Sequence, residues 1–203
     1  MKRILAIVFL VIVLLGIWWL FFKTDKPETV YESESTQIHV SKHSEEFNSS
    51  ISNTLNAYFD MQLAFVEADT TLAKEHTQKF IAAVDNISTD ELEKDAPQII
   101  ATVKQQLSDI KANAEPILKE KDITEMRQDF RMISENLYPF LRIVEYEGDK
   151  VYWQSCPMAF GDNEASWLSA TRQIANPYLG KNHPEYKSTM LRCGEVKDSI
   201  YAK

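Results

Sequence analysis

The chain opens with an apolar run at 4–22, nineteen uncharged residues behind Lys2 and Arg3. At about 1.5 Å of rise per residue, a helix of that length crosses a hydrocarbon core of about 30 Å. The run ends in Ile17, Trp18, Trp19, Leu20, Phe21 and Phe22, so it lacks the small residues of a cleavage site, and no cysteine follows closely to take a lipid. The pattern predicts an uncleaved transmembrane signal anchor over 1–23, with Lys2, Arg3 and the amino terminus on the inner side. The stretch at 24–44 is polar, contains Pro27 and keeps no period. It is expected to be a flexible tether. Within and beside it, His39 and His43 stand four apart, a spacing that on a helix can share a metal.

From 45 onward the rhythm becomes helical. Ile51, Leu55, Tyr58, Phe59, Leu63 and Val66 form one stripe; Leu72, His76, Phe80, Val84 and Ile87 form a second after a break at Asp69-Thr70. Ser88 with Glu91 reads as a capping box, and Pro97 suits the first position of a third helix carrying Ile100, Val103, Leu107, Ile110 and Ala114. Pro116 should end it. Asp122 with Glu125 caps a fourth helix, whose stripe is Ile123, Met126, Phe130, Ile133, Leu137 and Leu141. His76 reads as a packing histidine, and Met61, Met126 and Met132 read as core gap fillers.

After Val144 the texture changes. Residues 145–153 predict two short β segments around Gly148-Asp149, and a short helix is expected from near Asn163, carrying Trp167, Leu168 and Ile174 up to the stop at Asn176-Pro177. The expected fold is therefore mainly α: a single N-terminal transmembrane helix, then an antiparallel four-helix bundle with a small irregular or β-hairpin C-terminal segment. The folded domain is expected to fill 45–203, on the extracytoplasmic side of the inner membrane as a single-pass protein.

Charge removes one class of partner. Thirty acids against twenty-two bases give a net charge of -8, a poor match for nucleic acid, whose phosphates are bound by clustered Lys and Arg. Enzymatic motifs are also missing: there is no Cys-x-x-Cys, Gly-rich phosphate loop, His-Glu-x-x-His or Gly-x-Ser-x-Gly. Asp60, Glu67, Asp69, Glu125 and Asp129 read as solvated helix faces. No enzyme is expected.

Sulfur is the remaining chemistry. The two cysteines fall in Cys156-Pro157-Met158 and Met190-Leu191-Arg192-Cys193, each with a methionine within three residues. Thiolates and thioethers suit soft ions, copper(I) or silver(I), and His183 can add an imidazole. The same two cysteines, outside the cytoplasm, can form a disulfide worth about 4 kcal/mol on the chain-entropy model. Spacing does not choose between these, because sulfurs close enough to share a metal are close enough to oxidise. Pro157 should stiffen the first sulfur loop, and Gly194 should let the chain turn behind Cys193.

The segments Tyr152-Trp153-Gln154-Ser155-Cys156-Pro157-Met158-Ala159-Phe160, Ala165-Ser166-Trp167-Leu168-Ser169, Asn176-Pro177-Tyr178 and Met190-Leu191-Arg192-Cys193-Gly194-Glu195-Val196 carry a resemblance. Together with Arg127, Phe130, Ser134 and Tyr138 upstream, the chain from about 55 to 196 resembles an uncharacterised periplasmic domain of unknown function. Such domains occur alone behind export signals or fused to periplasmic adaptor subunits of copper and silver efflux pumps. The resemblance implies a helical bundle, soft-metal binding, and candidate ligands at Cys156, Met158, Met190 and Cys193. This chain departs from the family pattern at 181–189, a longer connection that introduces His183. The expected function is an anchored extracytoplasmic copper(I) or silver(I) binding protein, accessory to heavy-metal efflux or homeostasis, with pump components as candidate partners. The alternative is a non-catalytic envelope interaction domain held by a Cys156–Cys193 disulfide. A thiol oxidoreductase or copper-dependent enzyme is the weakest reading.

Overall fold

The computed structural model describes residues 42–94 and 97–201. The expected anchor, most of the tether and His39 lie outside the described residues. Among those described, no helix is long and apolar enough to cross a membrane.

Among the described residues there are four α-helices, three of which open on a side-chain cap. Ser44 accepts the amide of Phe47 and starts α1, Glu45–Glu67. Ala68 ends it in the left-handed region at φ 59°, and Asp69 then caps the amides of Thr71 and Leu72 at 2.9 Å to start α2, Thr70–Asp85. With only two residues between them, the helices fold back as an antiparallel hairpin. A short 3-10 turn, Asp90–Lys94, leads to α3, Pro97–Ala114, whose first residue is the expected proline. Pro116 lies in a second 3-10 turn, Glu115–Leu118. Asp122 then caps Thr124 and Glu125 to open α4, Ile123–Ile143, which packs along α3.

The stripes are placed slightly differently from expectation. On α2 the buried positions are Ala73, Thr77, Phe80 and Val84, whereas Leu72 is 41% exposed and His76 lies at the margin. Small Ala73 and Thr77 let α2 approach α1, with the Thr77 hydroxyl, which donates back to the Ala73 carbonyl at 2.7 Å, resting 3.1 Å from Met61 Sδ. On α1, Leu63 faces solvent while Met61, Ala64 and Phe65 are buried. Met61 and Met126 are core residues; Met132 is not, at 43% exposed. The Ser88 and Glu91 pair closes no box. Ser88 accepts the amide of Asp90, and Glu91 reaches across to His43 Nδ1 at 2.7 Å and to Ser44. His43 is buried, with its other ring nitrogen at the Val144 carbonyl, so the fold already includes the end of the expected tether.

The C-terminal segment is a three-stranded antiparallel sheet in the order β2-β1-β3, with β1 at Val151–Phe160, β2 at Asn163–Ser169 and β3 at Glu195–Ile200. Two expectations are corrected. Residues 145–149 form no strand: Glu145 turns through φ 49° and the Tyr146 amide returns to the Leu141 carbonyl at 3.0 Å, closing the end of α4. The stretch from Asn163 is a strand, not a helix, because Gly161 at φ 67° and Asp162 make a two-residue turn that lays it back along β1, Phe160 opposite Asn163.

Strand β2 packs on α4, and one buried chain of hydrogen bonds ties it there. The Leu168 amide donates to the Tyr58 hydroxyl at 3.1 Å, Tyr58 donates to Ser134 at 2.7 Å, and Ser134 donates to the Phe130 carbonyl at 2.8 Å. Burial pushes the Tyr58 phenol well above its ordinary value, so it stays a donor. Tyr58 also stacks on Phe130 at 5.1 Å, and Phe130 meets Phe65 at 4.9 Å and Tyr178 at 5.9 Å. The same aromatic core therefore serves the helices and the C-terminal lobe.

Tyr58→Phe should lower the unfolding free energy by about 1–3 kcal/mol, since it strands a buried amide, whereas Ser134→Ala should cost less because Leu168 keeps its acceptor. A urea titration in which both are neutral would contradict the chain of bonds. At the N-terminal entry, partial burial favours the neutral Glu91 carboxyl, but the bonds from Ser44 and His43 outweigh it and hold its pKa below the ordinary 4.5. A depressed acid contributes stability that is complete above its unfolded value and lost as pH falls through its folded one. Wild type should therefore lose more stability than Glu91→Gln between pH 6 and pH 3, and equal losses in parallel denaturation series would contradict this.

Candidate functional site

The C-terminal lobe, residues 145–201, has little regular structure beyond its sheet, and side chains from the bundle position it. Arg127 lies on the apolar stripe of α4 at 2% exposure. Its Nε donates to the Pro177 carbonyl at 2.9 Å and its Nη2 to the Phe65 carbonyl at 3.0 Å. Burial lowers its pKa to about 10, which Asp122 partly opposes, so the guanidinium is charged at neutral pH. Next to it the Lys181 amide donates to the Val66 carbonyl at 2.8 Å. Gly180 passes so close, at φ 57°, that a β-carbon there would meet Val66 O at 2.7 Å and Arg127 Nη2 at 2.9 Å.

Asn176 organises the other end of the loop. It is fully buried; its Oδ1 accepts the amides of Tyr178 and Leu179 at 2.8 and 3.0 Å, and its Nδ2 donates to the Cys193 carbonyl at 3.0 Å. Its own amide donates to the Leu191 carbonyl at 2.9 Å. One side chain thus fixes the 176–180 turn and delivers Cys193 to the sheet.

Cys156 and Cys193 are joined as a disulfide, with Cα atoms 5.7 Å apart and a sequence separation of 37. Cys156 is fully buried on β1 and Cys193 is half-buried. The bond lies just past Ser155–Glu195, the last pair between β1 and β3, and so closes the end of that ladder. The Cys-Pro-Met segment is strand, not loop. Pro157 is tolerated because the β1–β2 register shifts between Cys156 and Phe160. Gly194 turns the chain as its composition suggested, at φ 136°, and a β-carbon on it would sit 2.7 Å from Ser155 O and 3.0 Å from the Trp167 indole.

The other three candidate ligands have separate settings. Met158 is 43% exposed, two residues along β1 from Cys156. Met190 packs partly against the core, and its carbonyl accepts the Cys193 amide at 2.9 Å in a tight turn. His183 Nδ1 accepts the amides of Glu185 and Tyr186, each at 3.2 Å, and its ring stacks on Tyr186 at 4.9 Å. Those bonds engage the ring locally and place its proton on Nε2. Burial, then the charge of Arg127, hold the pKa of His183 below its ordinary value. Among the described residues no group of three or more His, Cys, Asp or Glu is placed to hold a metal ion. Of the i, i+4 histidine pair, His39 lies outside the described residues and both ring nitrogens of His43 are engaged within the protein.

Arg127 and Asn176 are the organising residues that motif reasoning did not single out for this role. The signal for the first was a charged side chain in the apolar stripe between Met126 and Phe130. Asn176 gave only a helix-stop signal.

The class defined by this architecture is a mainly helical domain carrying a small three-stranded antiparallel sheet. Residues 54–147 match the model of a family described as a protein of unknown function (DUF3347). The matched stretch runs from within α1 to just past α4, so it includes Arg127 and neither cysteine. No curated protein and no solved structure matches the chain.

Gly194→Ala is expected to destabilise the protein by about 1–3 kcal/mol through its positive φ and the crowding at Ser155, and to leave part of the protein with free thiols. Thiol titration of the unreduced variant reads this directly; a variant with wild-type stability and no free thiol would contradict it.

Proposed function

We propose that the chain is a non-catalytic, membrane-anchored extracytoplasmic domain that works through contacts with other components of the cell envelope, its C-terminal lobe held closed by the Cys156–Cys193 disulfide. The observation that carries this reading is the disulfide itself, buried at Cys156 and seated where β1 and β3 part. Disulfides persist in oxidising compartments and are rare in the cytosol, which agrees with the apolar run at 4–22 as an anchor in the inner membrane and with a domain in the periplasm. Burial of Cys156 also disfavours thiol exchange, which needs an accessible sulfur.

The soft-metal reading is the second one, and exposed Met158 beside Cys156 favours it, together with the resemblance of the sulfur motifs to domains fused to copper and silver efflux adaptors. As bonded, the sulfurs do not fit copper(I) or silver(I), because neither can supply a thiolate. Two-electron reduction by an external thiol reductant would restore two thiols, and Met190 or Met158 could then complete a low-coordinate sulfur site. In that form the protein would buffer or hand on the ion as an efflux accessory. His183 would join only by giving up its bonds to Glu185 and Tyr186.

The two readings separate on paired variants of the full chain. If the domain is structural, Cys193→Ser lowers stability by about 2–4 kcal/mol, whereas Met158→Leu and Met190→Leu change neither stability nor the growth of cells challenged with copper. The opposite pattern sinks it: cysteine variants of unchanged stability, with stoichiometric copper(I) binding by the reduced protein against a competing chelator, lost in Cys156→Ser and weakened in Met158→Leu.

A further inference from the structure

A buried arginine ordinarily has a carboxylate beside it, because carbonyl dipoles alone answer only part of its charge. Arg127 has none: it is 2% exposed, bonded to the carbonyls of Phe65 and Pro177, and no ion pair reaches it among the described residues. Asp122 acts on it only through space. A guanidinium carries five N–H groups, and the two carbonyls take two of them.

This arginine lines a cavity of about 360 Å³, within the size range of small-molecule sites. The cavity lies between the first turns of α4, the tip of the β1–β2 hairpin and the turn at 183–186. Its strongest polar groups are donors: Arg127, and His183 through Nε2–H, since its Nδ1 is occupied by two backbone amides; the Gln128 amide can donate or accept, and the Thr124 hydroxyl is bonded to Asp122. The walls are aromatic, from Phe160, Tyr178 and Tyr186, and Glu185 is the single carboxylate on the rim. The larger groove between α1 and α2, about 510 Å³, differs in both respects: Lys79 there is paired with Glu75 and no aromatic ring lines it.

We propose that this cavity binds a small organic carboxylate with a flat apolar body, the carboxylate set against Arg127 and the body against the aromatic wall. A buried cation without a counter-charge gains most from an anion delivered into the same low-dielectric space, and a fork of N–H groups is the geometry that takes a carboxylate in two bonds. The 181–189 connection supplies His183 and Tyr186 to the site. The proposal is independent of the state of the cysteines.

Equilibrium dialysis of the detergent-solubilised full chain with labelled benzoate tests it. Saturable binding at one site per chain is expected, resistant to competition by neutral benzamide and by inorganic phosphate. Arg127→Lys should weaken it about tenfold or more, since the bidentate fork is lost while the charge stays. Arg127 also holds the lobe, so Thr124→Trp provides the second arm. Thr124 is exposed in the first turn of α4, and a bulky side chain there should block the cavity and abolish binding without touching the core. Absence of saturable binding, equal competition by benzamide or phosphate, or full binding by Thr124→Trp would each overturn the proposal.

Discussion

Arg127 is where three pieces of chain that share no secondary structure are brought into register. Helix α1 ends with carbonyls that no longer have an intrahelical donor, and no basic residue occupies its last turn. Arg127, coming from α4, donates to Phe65, and the Lys181 amide donates to Val66. The Val66 carbonyl and the Phe65 carbonyl, which the Ala68 amide also reaches at 3.2 Å, thus become the seat of the C-terminal lobe, with Pro177 bonded to the same guanidinium. Magnitudes show what this achieves. Hydrogen bonds to a charged group contribute about 1.5–3 kcal/mol each, while withdrawing the ion from water costs several kcal/mol. The two roughly cancel, so Arg127 fixes the position of the lobe more than it adds net stability. Apolar contact supplies the stability, through Tyr178 and Phe160 packed at a tilt beyond Phe130.

The disulfide acts at the weaker margin. Strand β3 has six residues, none of them fully buried, and a ladder with so little apolar burial is marginal without further constraint. Joining its approach to β1 through Cys156 and Cys193 removes about 4 kcal/mol of loop-closure entropy from the unfolded chain. Asn176 makes that closure local, because it sets the 176–180 turn and holds the Cys193 carbonyl at the same time. Breaking the bond should therefore loosen β3 and the 181–194 connection before the helices, whose core contacts are elsewhere.

The helices are legible because start signals and stripes agree: the break at Asp69-Thr70, Pro97 and Asp122 each stand at a helix start. The stripe misplaces Leu72, where small Ala73 and Thr77 make the contact, while Leu63 and Met132 are large apolar side chains that face solvent. The β2 strand is not legible because Ala165-Ser166-Trp167-Leu168 is too short for periodicity to separate strand from helix, and because the Cys156-Pro157-Met158 part of its partner reads as a loop. Both sulfur motifs were recognised, yet their pairing depends on sheet register and on Asn176, which no spacing encodes. Arg127 was visible as an oddity in an apolar stripe, but its acceptors are carbonyls far away in the chain.

The most direct test of the account is the redox state of the two cysteines in the full chain taken from its native membrane. The sample would be quenched in acid without reductant, denatured, alkylated and weighed by mass spectrometry. The account predicts no alkylation at either Cys156 or Cys193 and a peptide pair linked through them. Alkylation of both residues in most of the protein would contradict it and make the reduced sulfur site the form that matters.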